Sequence, residues 1–155
     1  DDNWIMAYVH IAHDCQLANH IVIANSVQLA GHIHIDDWAI IGGLSAAHQF
    51  VHIGAHTMIG GTSSLRQDIP PYVIGAGDPF RPVGINAEGL SRRGFAPEAI
   101  AALKEAYKLL YRRNLKIEEA TEQILALQLE RPIAHDALQV LIDFLKASTR
   151  GIARA

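Results

Sequence analysis

A strict six-residue period runs from Ile5 to Leu65 and constrains what the chain can fold into. Every sixth residue is Ile or Leu, with one Ala in the series: Ile5, Ile11, Leu17, Ile23, Leu29, Ile35, Ile41, Ala47, Ile53, Ile59 and Leu65. A helix with 3.6 residues per turn does not keep this period on one face, and neither does a simple amphipathic strand. Short strands joined by tight corners do, with one aliphatic side chain pointing inward per strand. The period therefore predicts a parallel β-helix built from hexapeptide repeats.

Smaller side chains accompany the aliphatic series. The residue after each aliphatic is usually Ala or Gly, and the position two residues before it is small or β-branched, as at Val9 and Ile21. The only cysteine, Cys15, occupies one of these positions, so we expect it to pack in the core rather than to act as a reactive thiol. Three hexapeptides make one triangular coil. Residues 18 apart should therefore lie one above the other, about 4.8 Å apart.

The six-residue period ends at Asp68-Ile69-Pro70-Pro71, and a Gly- and Pro-rich link follows as far as about Gly94. Amphipathic helical patterns then cover residues 97–113, 117–130 and 134–147. The predicted fold class is mainly β with C-terminal α, a β-helix followed by a helical bundle. We assign the β-helix to residues 1–70, the link to 71–95 and the helical domain to 96–155. A short β-helix has open edges, so oligomerisation is also expected.

The composition excludes several classes of function. Half of the 155 residues are hydrophobic and the net charge is −3, which fits a packed soluble protein and argues against general nucleic-acid binding. No apolar run reaches the ~18–20 residues of a membrane span, and no signal-peptide pattern opens the chain. A single cysteine excludes a disulfide framework and is compatible with a reducing cytoplasm. The chain starts without Met inside a running repeat, so we expect a truncated or processed product.

Eight of the nine histidines precede residue 57, and the 18-residue rise arranges them in columns. His13 lies under Gly31, and Asp14 lies under His32. An imidazole titrates near neutrality and suits proton removal from a hydroxyl, with the neighbouring carboxylate fixing its tautomer. The backbone N–H of Gly31 is a candidate oxyanion donor, and His32 a candidate substrate contact. The alternative, that these histidines only decorate the solenoid surface, stays open on spacing alone.

A metal site is the competing interpretation of the histidines. His34 lies under His52, and a catalytic zinc site requires three converging protein ligands with an open fourth position. No third histidine stacks with this pair, and Gln16 lies below it. The sequence therefore predicts no metal ligand set.

Several longer motifs carry a resemblance to a known family. The segments HIAHDC, LAGHIHIDDWAIIGGLSAAHQF, IGAHTMIGGTS, QDIPPYVI and GINAEGLSRRGF, which together reach from the repeats to the first helix, resemble the UDP-N-acetylglucosamine acyltransferases that start lipid A synthesis. The resemblance covers essentially the whole chain. It implies a left-handed coil. The implied reaction moves a 3-hydroxyacyl group from acyl carrier protein to the glucosamine 3-hydroxyl of UDP-N-acetylglucosamine, without a cofactor.

The resemblance also implies roles for individual residues. His13 matches the general base, Asp14 the carboxylate that orients it, and Gly31 the backbone oxyanion donor. Residues matching the substrate cleft are His10, His32, His48 and Gln49, and those matching contacts to nucleotide and phosphates are Asn86, Glu88, Arg92 and Arg93. A guanidinium suits a pyrophosphate because it binds two oxygens at once. Taken alone, the two arginines would fit a solvated corner equally well.

The family's acyl pocket runs between coils of adjacent subunits in a homotrimer. Gly61 matches the position that limits acyl-chain length, and glycine there implies a longer chain; the alternative is an ordinary corner glycine. Because acyl carrier proteins are acidic, a basic set is a candidate docking surface: Arg92, Arg93, Lys104, Lys108, Arg112 and Arg113. The resemblance further implies the cytoplasm of a Gram-negative bacterium. The family's chains carry additional coils before the point where this sequence starts.

Three other functions stay open at this point. The first is the related N-acyltransferase of lipid A synthesis, against which GGLSAAHQF and NAEGLSRRGF argue. The second is a metal-dependent hydratase resembling the gamma-class carbonic anhydrases. The third is a non-catalytic fragment that trimerises or binds carrier protein.

Overall fold

The computed structural model describes residues 1–155, which form a β-helix, a β-hairpin and a helical domain. The β-helix contains eleven two-residue strands: β1 Trp4–Ile5, β2 His10–Ile11, β3 Gln16–Leu17, β4 Val22–Ile23, β5 Gln28–Leu29, β6 His34–Ile35, β7 Ile40–Ile41, β8 Ala46–Ala47, β9 His52–Ile53, β10 Met58–Ile59 and β11 Ser64–Leu65. The hairpin strands are β12 Val73–Ala76 and β13 Arg81–Ile85. The helices are α1 Ala87–Arg92, α2 Pro97–Tyr111, α3 Ile117–Glu130 and α4 His135–Ala147, with a 3₁₀ turn at Pro132–Ala134.

The strands form three parallel faces of a triangular solenoid. Face A contains β1, β4, β7 and β10; face B contains β2, β5, β8 and β11; face C contains β3, β6 and β9. Each strand pairs in parallel with the strand 18 residues further on, so that Gln16 is opposite His34 and His34 is opposite His52. This register confirms the predicted β-helix and its columns.

The aliphatic series lines the interior of the solenoid. Ile23, Ile35, Ile41 and Ile53 are fully buried. The small or β-branched residues two positions earlier, such as Ile33, are buried with them. Cys15 is partly buried and packs against this core, with its thiol 3.2 Å from the Ala30 carbonyl oxygen. The core therefore depends on one inward side chain from each strand and one from the corner before it.

Each corner contains one non-glycine residue with a left-handed backbone. These residues also recur every six positions, with φ between 55° and 67°: Asp2, Tyr8, Asp14, His20, Ser26, His32, Trp38, Leu44, Phe50, His56 and Thr62. A left-handed residue costs roughly 1–2 kcal/mol when it carries a side chain. The conformation turns the chain onto the next face, which places these side chains in outward columns.

The predicted link at 71–95 contains regular secondary structure. Strand β12 pairs in parallel with β10 and so extends face A, and β13 returns antiparallel to it. Helix α1 follows, capped by Asn86, whose side-chain oxygen accepts a hydrogen bond from the Gly89 N–H. Because this segment is rich in Pro and Gly, the sequence predicted a link without regular structure, whereas the structure has a hairpin that continues the solenoid.

The helical domain packs its own apolar core against the end of the solenoid. This core includes Tyr72, Leu103, Ile124, Leu138 and Ile142. The three main helices lie within two residues of the predicted bounds. None of them has the length and apolarity needed to span a bilayer.

A buried carboxylate joins the last residues of the chain to the end of the solenoid. Asp68 is 3% exposed and accepts hydrogen bonds from the His52 N–H at 2.8 Å and the Ser148 hydroxyl at 2.6 Å. Its backbone also bonds to Gly151 and Ala153. The side chain and backbone of Asp68 together hold the C-terminal segment in place.

The inward and outward positions of one strand give a direct test of the core. Leu29 is 1% exposed, whereas its neighbour Gln28 on β5 is exposed. Leu29→Ala should lower the free energy of unfolding by about 2–5 kcal/mol, because a cavity opens between coils. The control Gln28→Ala should change it by less than about 0.5 kcal/mol. Equal losses in urea unfolding would contradict the inward role of the aliphatic series.

Candidate active site

His13 and Asp14 form a hydrogen-bonded pair at the corner between faces B and C. His13 Nδ1 lies 2.9 Å from Asp14 Oδ2, and both side chains are exposed. The hydrogen bond from His13, followed by the charge of His32, lowers the pKa of Asp14 below its ordinary value. An ionised Asp14 accepts a hydrogen bond from the Nδ1–H of His13, which leaves His13 Nε2 with a free lone pair. The pair therefore has the arrangement of a general base and its orienting carboxylate.

The coil above supplies Gly31 and His32 at the same corner. A Cβ on Gly31 would lie 2.7–2.8 Å from His13 ring atoms, so a larger residue at position 31 would displace this imidazole. The Gly31 N–H donates to no other backbone group of the chain. His32 Nε2 is 3.7 Å from Asp14 Oδ2, and its ring lies edge-on to His13 and stacks on Phe50 at 4.8 Å. The predicted catalytic corner is thus assembled within one chain.

The remaining predicted cleft residues on this side lie close to that corner. His10 is exposed on β2, next to Gln28 of the following coil. His48 and Gln49 line an open cleft of about 440 Å³ on face B and its corner, together with Ala46 and Arg66 among others. Arg150, which was not predicted from the sequence, contacts a residue of this cleft: its Nη2 lies 3.4 Å from His48 Nδ1.

The predicted nucleotide contacts lie at a different corner, between faces C and A. Arg93 Nη1 is 3.1 Å from His56 Nδ1, and its guanidinium lies 5.1 Å from the Trp38 ring centroid. Asn86 is 5% exposed, and its amide donates to the His56 carbonyl oxygen at 3.1 Å. Because both polar ends of Asn86 are engaged within the chain, this structure shows it as a helix cap rather than as an exposed contact.

The last predicted residues are also separated from His13. Glu88 and Arg92 form an exposed ion pair one turn apart on α1. Gly61 lies at the third corner, between faces A and B, where a Cβ would meet the Gly43 carbonyl oxygen at 3.1 Å. Its φ is not left-handed, so the backbone itself does not require glycine. One chain therefore distributes the predicted site over three separate corners.

Part of the predicted basic set lines a single groove. The cavity, about 600 Å³, lies between β13 and the C-terminal half of α2 and is lined by Val83, Gly84, Ile85, Lys104, Tyr107, Lys108, Arg112 and Arg113. Four cations and no carboxylate line it. Arg92 and Arg93 do not belong to this groove.

His56 was not among the site residues predicted from the sequence, although the folded structure shifts its pKa strongly. It stacks between Trp38 and Tyr72 at its corner. Burial, and then the charge of Arg93, lower the pKa of His56 to about 4, while Asp37 partly opposes them. The 18-residue spacing places His56 in one corner column with His20 and Trp38. The contact with Arg93 comes from a distant segment and could not be read from that spacing.

The fold is that of a hexapeptide-repeat protein with a helical C-terminal domain. Residues 68–153 match the model of the second domain of UDP-N-acetylglucosamine O-acyltransferase, and the chain belongs to this family. It is 56% identical to the acyl-[acyl-carrier-protein]–UDP-N-acetylglucosamine O-acyltransferase of Burkholderia lata, over 99% of this chain and 59% of that protein. The chain thus spans about 59% of the length of the curated relatives it matches.

Solved structures agree with the backbone. The UDP-N-acetylglucosamine O-acyltransferase of Moraxella catarrhalis superposes with a TM-score of 0.93 at 40% identity, over 99% of this chain and 58% of that one. The Arabidopsis UDP-N-acetylglucosamine acyltransferase gives 0.86 at 36% identity, over 97% and 55%. These agreements confirm the predicted fold class, a left-handed parallel β-helix followed by helices.

The low pKa of His56 predicts a pH-dependent stability. Between pH 6.5 and about pH 4, His56 is protonated in the unfolded chain but neutral in the folded chain. The free energy of unfolding therefore decreases as the pH is lowered through this window. After allowance for solvent screening, the loss is on the order of 1–2 kcal/mol. His56→Asn, which keeps a residue that tolerates φ > 0, should flatten the decline between pH 6.5 and 4.

The matched control is His20→Asn, at the equivalent left-handed position two coils below. Urea unfolding at several pH values should give this control the wild-type decline. An unchanged slope in His56→Asn would contradict the assignment.

Proposed function

We propose that the chain provides the catalytic corner of an acyltransferase that moves a (R)-3-hydroxyacyl group from acyl carrier protein to the glucosamine 3-hydroxyl of UDP-N-acetylglucosamine. This is the first step of lipid A biosynthesis. The observation that carries the proposal is the His13–Asp14 pair beneath Gly31, in a chain that belongs to this acyltransferase family. The names of the relatives support the donor and acceptor.

In the proposed reaction, His13 Nε2 removes the proton from the sugar hydroxyl as its oxygen attacks the thioester carbonyl carbon. Asp14 holds the imidazole in the required tautomer and stabilises its cationic form. The tetrahedral oxyanion accepts a hydrogen bond from the Gly31 N–H, which donates to no backbone group of the chain. As the C–S bond breaks, His13 returns the proton to the leaving thiolate. The ester and the free carrier thiol are the products, and no cofactor takes part.

Substrate contacts are proposed on both sides of the chain. His10, His32, His48 and Gln49 would line the cleft beside the base, and Arg150 extends this wall because it reaches His48. Arg92 and Arg93 would bind the nucleotide phosphates, with Glu88 paired to Arg92. Asn86 would act by capping the helix that carries them.

The separation of these residues over three corners supports a homotrimer, in which one copy's base meets a neighbour's binding residues. Gly61 would then face an acyl pocket between copies, where a larger side chain would shorten the chain accepted. We also assign the working enzyme to the cytoplasm, where acyl carrier protein is found, and without membrane insertion.

The general base is tested by His13→Ala in a form of the protein that carries the preceding coils. Acyl transfer from 3-hydroxyacyl carrier protein should slow by about 10²–10⁴-fold in kcat, because proton removal is lost. His135→Ala, a histidine on α4 away from the corner, is the control and should retain activity. Near-normal transfer by His13→Ala would contradict the assignment.

The same assay separates the alternative functions. An amine acceptor preferred over the hydroxyl would indicate the N-acyltransferase, and carbonic anhydrase-type hydration lost on chelation would indicate a metal-dependent hydratase. Running the 155-residue chain beside the longer form distinguishes a competent chain from a non-catalytic fragment.

Carrier-protein docking is proposed on the basic groove of α2. Lys108→Glu should weaken binding of acyl carrier protein by about fivefold or more at low salt, because the partner is acidic. Lys146→Glu on α4 changes the same charge outside this groove and should have little effect. Calorimetric titration that gives equal losses for both variants would point to net charge rather than to this groove.

A further inference from the structure

A second histidine–aspartate cluster lies on the flat of face C, away from the catalytic corner. His34 on β6 and His52 on β9 are opposite each other, with ring centroids 4.6 Å apart. Asp36 lies between their ring nitrogens, with Oδ1 at 3.5 Å from His34 Nε2 and Oδ2 at 2.9 Å from His52 Nε2. One potential ligand atom from each residue lies within 4.8 Å of the other two.

The column through Gln16, His34 and His52 contains only two potential metal ligands, the two imidazoles. Asp36 is outside that column, but it follows His34 by two residues, and alternate residues of an extended segment share a face. Its carboxylate therefore reaches both imidazoles from one edge of the pair. The third potential ligand is therefore a carboxylate from the same coil as His34.

We propose that His34, Asp36 and His52 bind a divalent transition metal of the zinc class. Two imidazoles and one carboxylate are a ligand set that Zn²⁺ favours, with bonds of about 2.0–2.2 Å and tetrahedral edges near 3.3–3.5 Å. The separation of His34 from Asp36, 3.5 Å, already matches such an edge. His52 Nε2 and Asp36 Oδ2 are at hydrogen-bond distance, 2.9 Å, so the metal would take the place of the hydrogen between them, and His52 would bind it as the neutral tautomer with its ring hydrogen on Nδ1.

The surroundings favour this cluster over the exposed one at the catalytic corner. The side chains of Asp36 and His52 are 28% and 26% exposed, against 65% and 74% for Asp14 and His13. His52 also packs on Phe144 of α4 at 4.5 Å between ring centroids, which limits its motion. Partial burial and fixed rings reduce the ordering cost of binding, while His34 remains open to solvent for metal entry.

A metal here would join two successive coils beside the helical domain. The fourth coordination position would be filled by water. Since the ligands lie on a face and not on the corner carrying His13, binding should stabilise the fold without supplying the acyl-transfer chemistry. This proposal does not depend on the proposed function.

The test is titration of the chain with Zn²⁺, followed by calorimetry and by thermal unfolding. We expect one equivalent to bind with micromolar or tighter affinity, and saturation to raise Tm by about 5 °C through mass action. The double variant His34→Gln with His52→Gln should lose this equivalent and the rise in Tm. The matched variant His13→Gln with His32→Gln removes the other cluster and should keep both.

Asp36→Asn and Co²⁺ keep the test decisive if the double variant folds poorly. Asp36→Asn leaves both imidazoles but removes the carboxylate, and should weaken binding at least tenfold. Co²⁺ in the native chain should give the intense visible absorption of a four-coordinate ion. Zinc uptake that survives loss of His34 and His52, or disappears only with His13 and His32, would overturn the proposal, as would no uptake by the native chain.

Discussion

The hydrogen bonds between successive coils impose one fixed offset on which the rest of the molecule depends. The Gln16 N–H donates to Ile33 at 2.8 Å, and the His34 N–H donates to Val51 at 3.1 Å, so each coil lies 18 residues above the last. Backbone pairing of this kind cannot slip by one residue, because the slip would turn every aliphatic side chain out to water. The same register that buries the core therefore also fixes which polar residues become neighbours.

Many of the predicted site residues lie at the corners because of how the corners are built. Turning from one face to the next requires a left-handed residue, and Asp14, His32 and His56 occupy such positions. Asp tolerates this conformation better than most residues, whereas Trp38 and Leu44 at equivalent corners bear roughly 1–2 kcal/mol of strain each. The inter-coil ladder offsets that strain. In return, a left-handed corner presents its side chain outward, in a column with others whose spacing the backbone sets.

Whether a feature could be predicted from the sequence depended on whether it was periodic. The core and the His13–Gly31 stack follow from counting, because the offset is constant along the repeats. The helices followed from their amphipathic faces. The hairpin at β12 and β13 did not, since its single pairing with face A breaks the repeat.

Contacts between distant segments were equally hidden. The buried Asp68 takes its partner Ser148 from 80 residues away, and Arg93 reaches His56 from 37 residues away. No local pattern signals such pairs, because each is created by packing the helical domain on the solenoid. Asp36 is a different case. It is only two residues from His34, but it belongs to a different 18-residue column. Comparing residues within one column therefore does not show its contacts with His34 and His52.

The triangular cross-section of the solenoid also divides its surface into corners and faces, which bring residues together in different ways. In one copy, His13, Arg93 and Gly61 lie at three different corners, so the width of a face separates them whatever their side-chain conformations. In the proposed homotrimer, the His13–Asp14–Gly31 corner is present in each copy, and a neighbouring copy would supply the nucleotide and acyl-chain contacts. A cluster on a face has no such need, because stacked strands already bring its residues within reach of one another. Substrate binding at the catalytic corner would therefore depend on assembly, while the His34–Asp36–His52 site would be complete in a single chain.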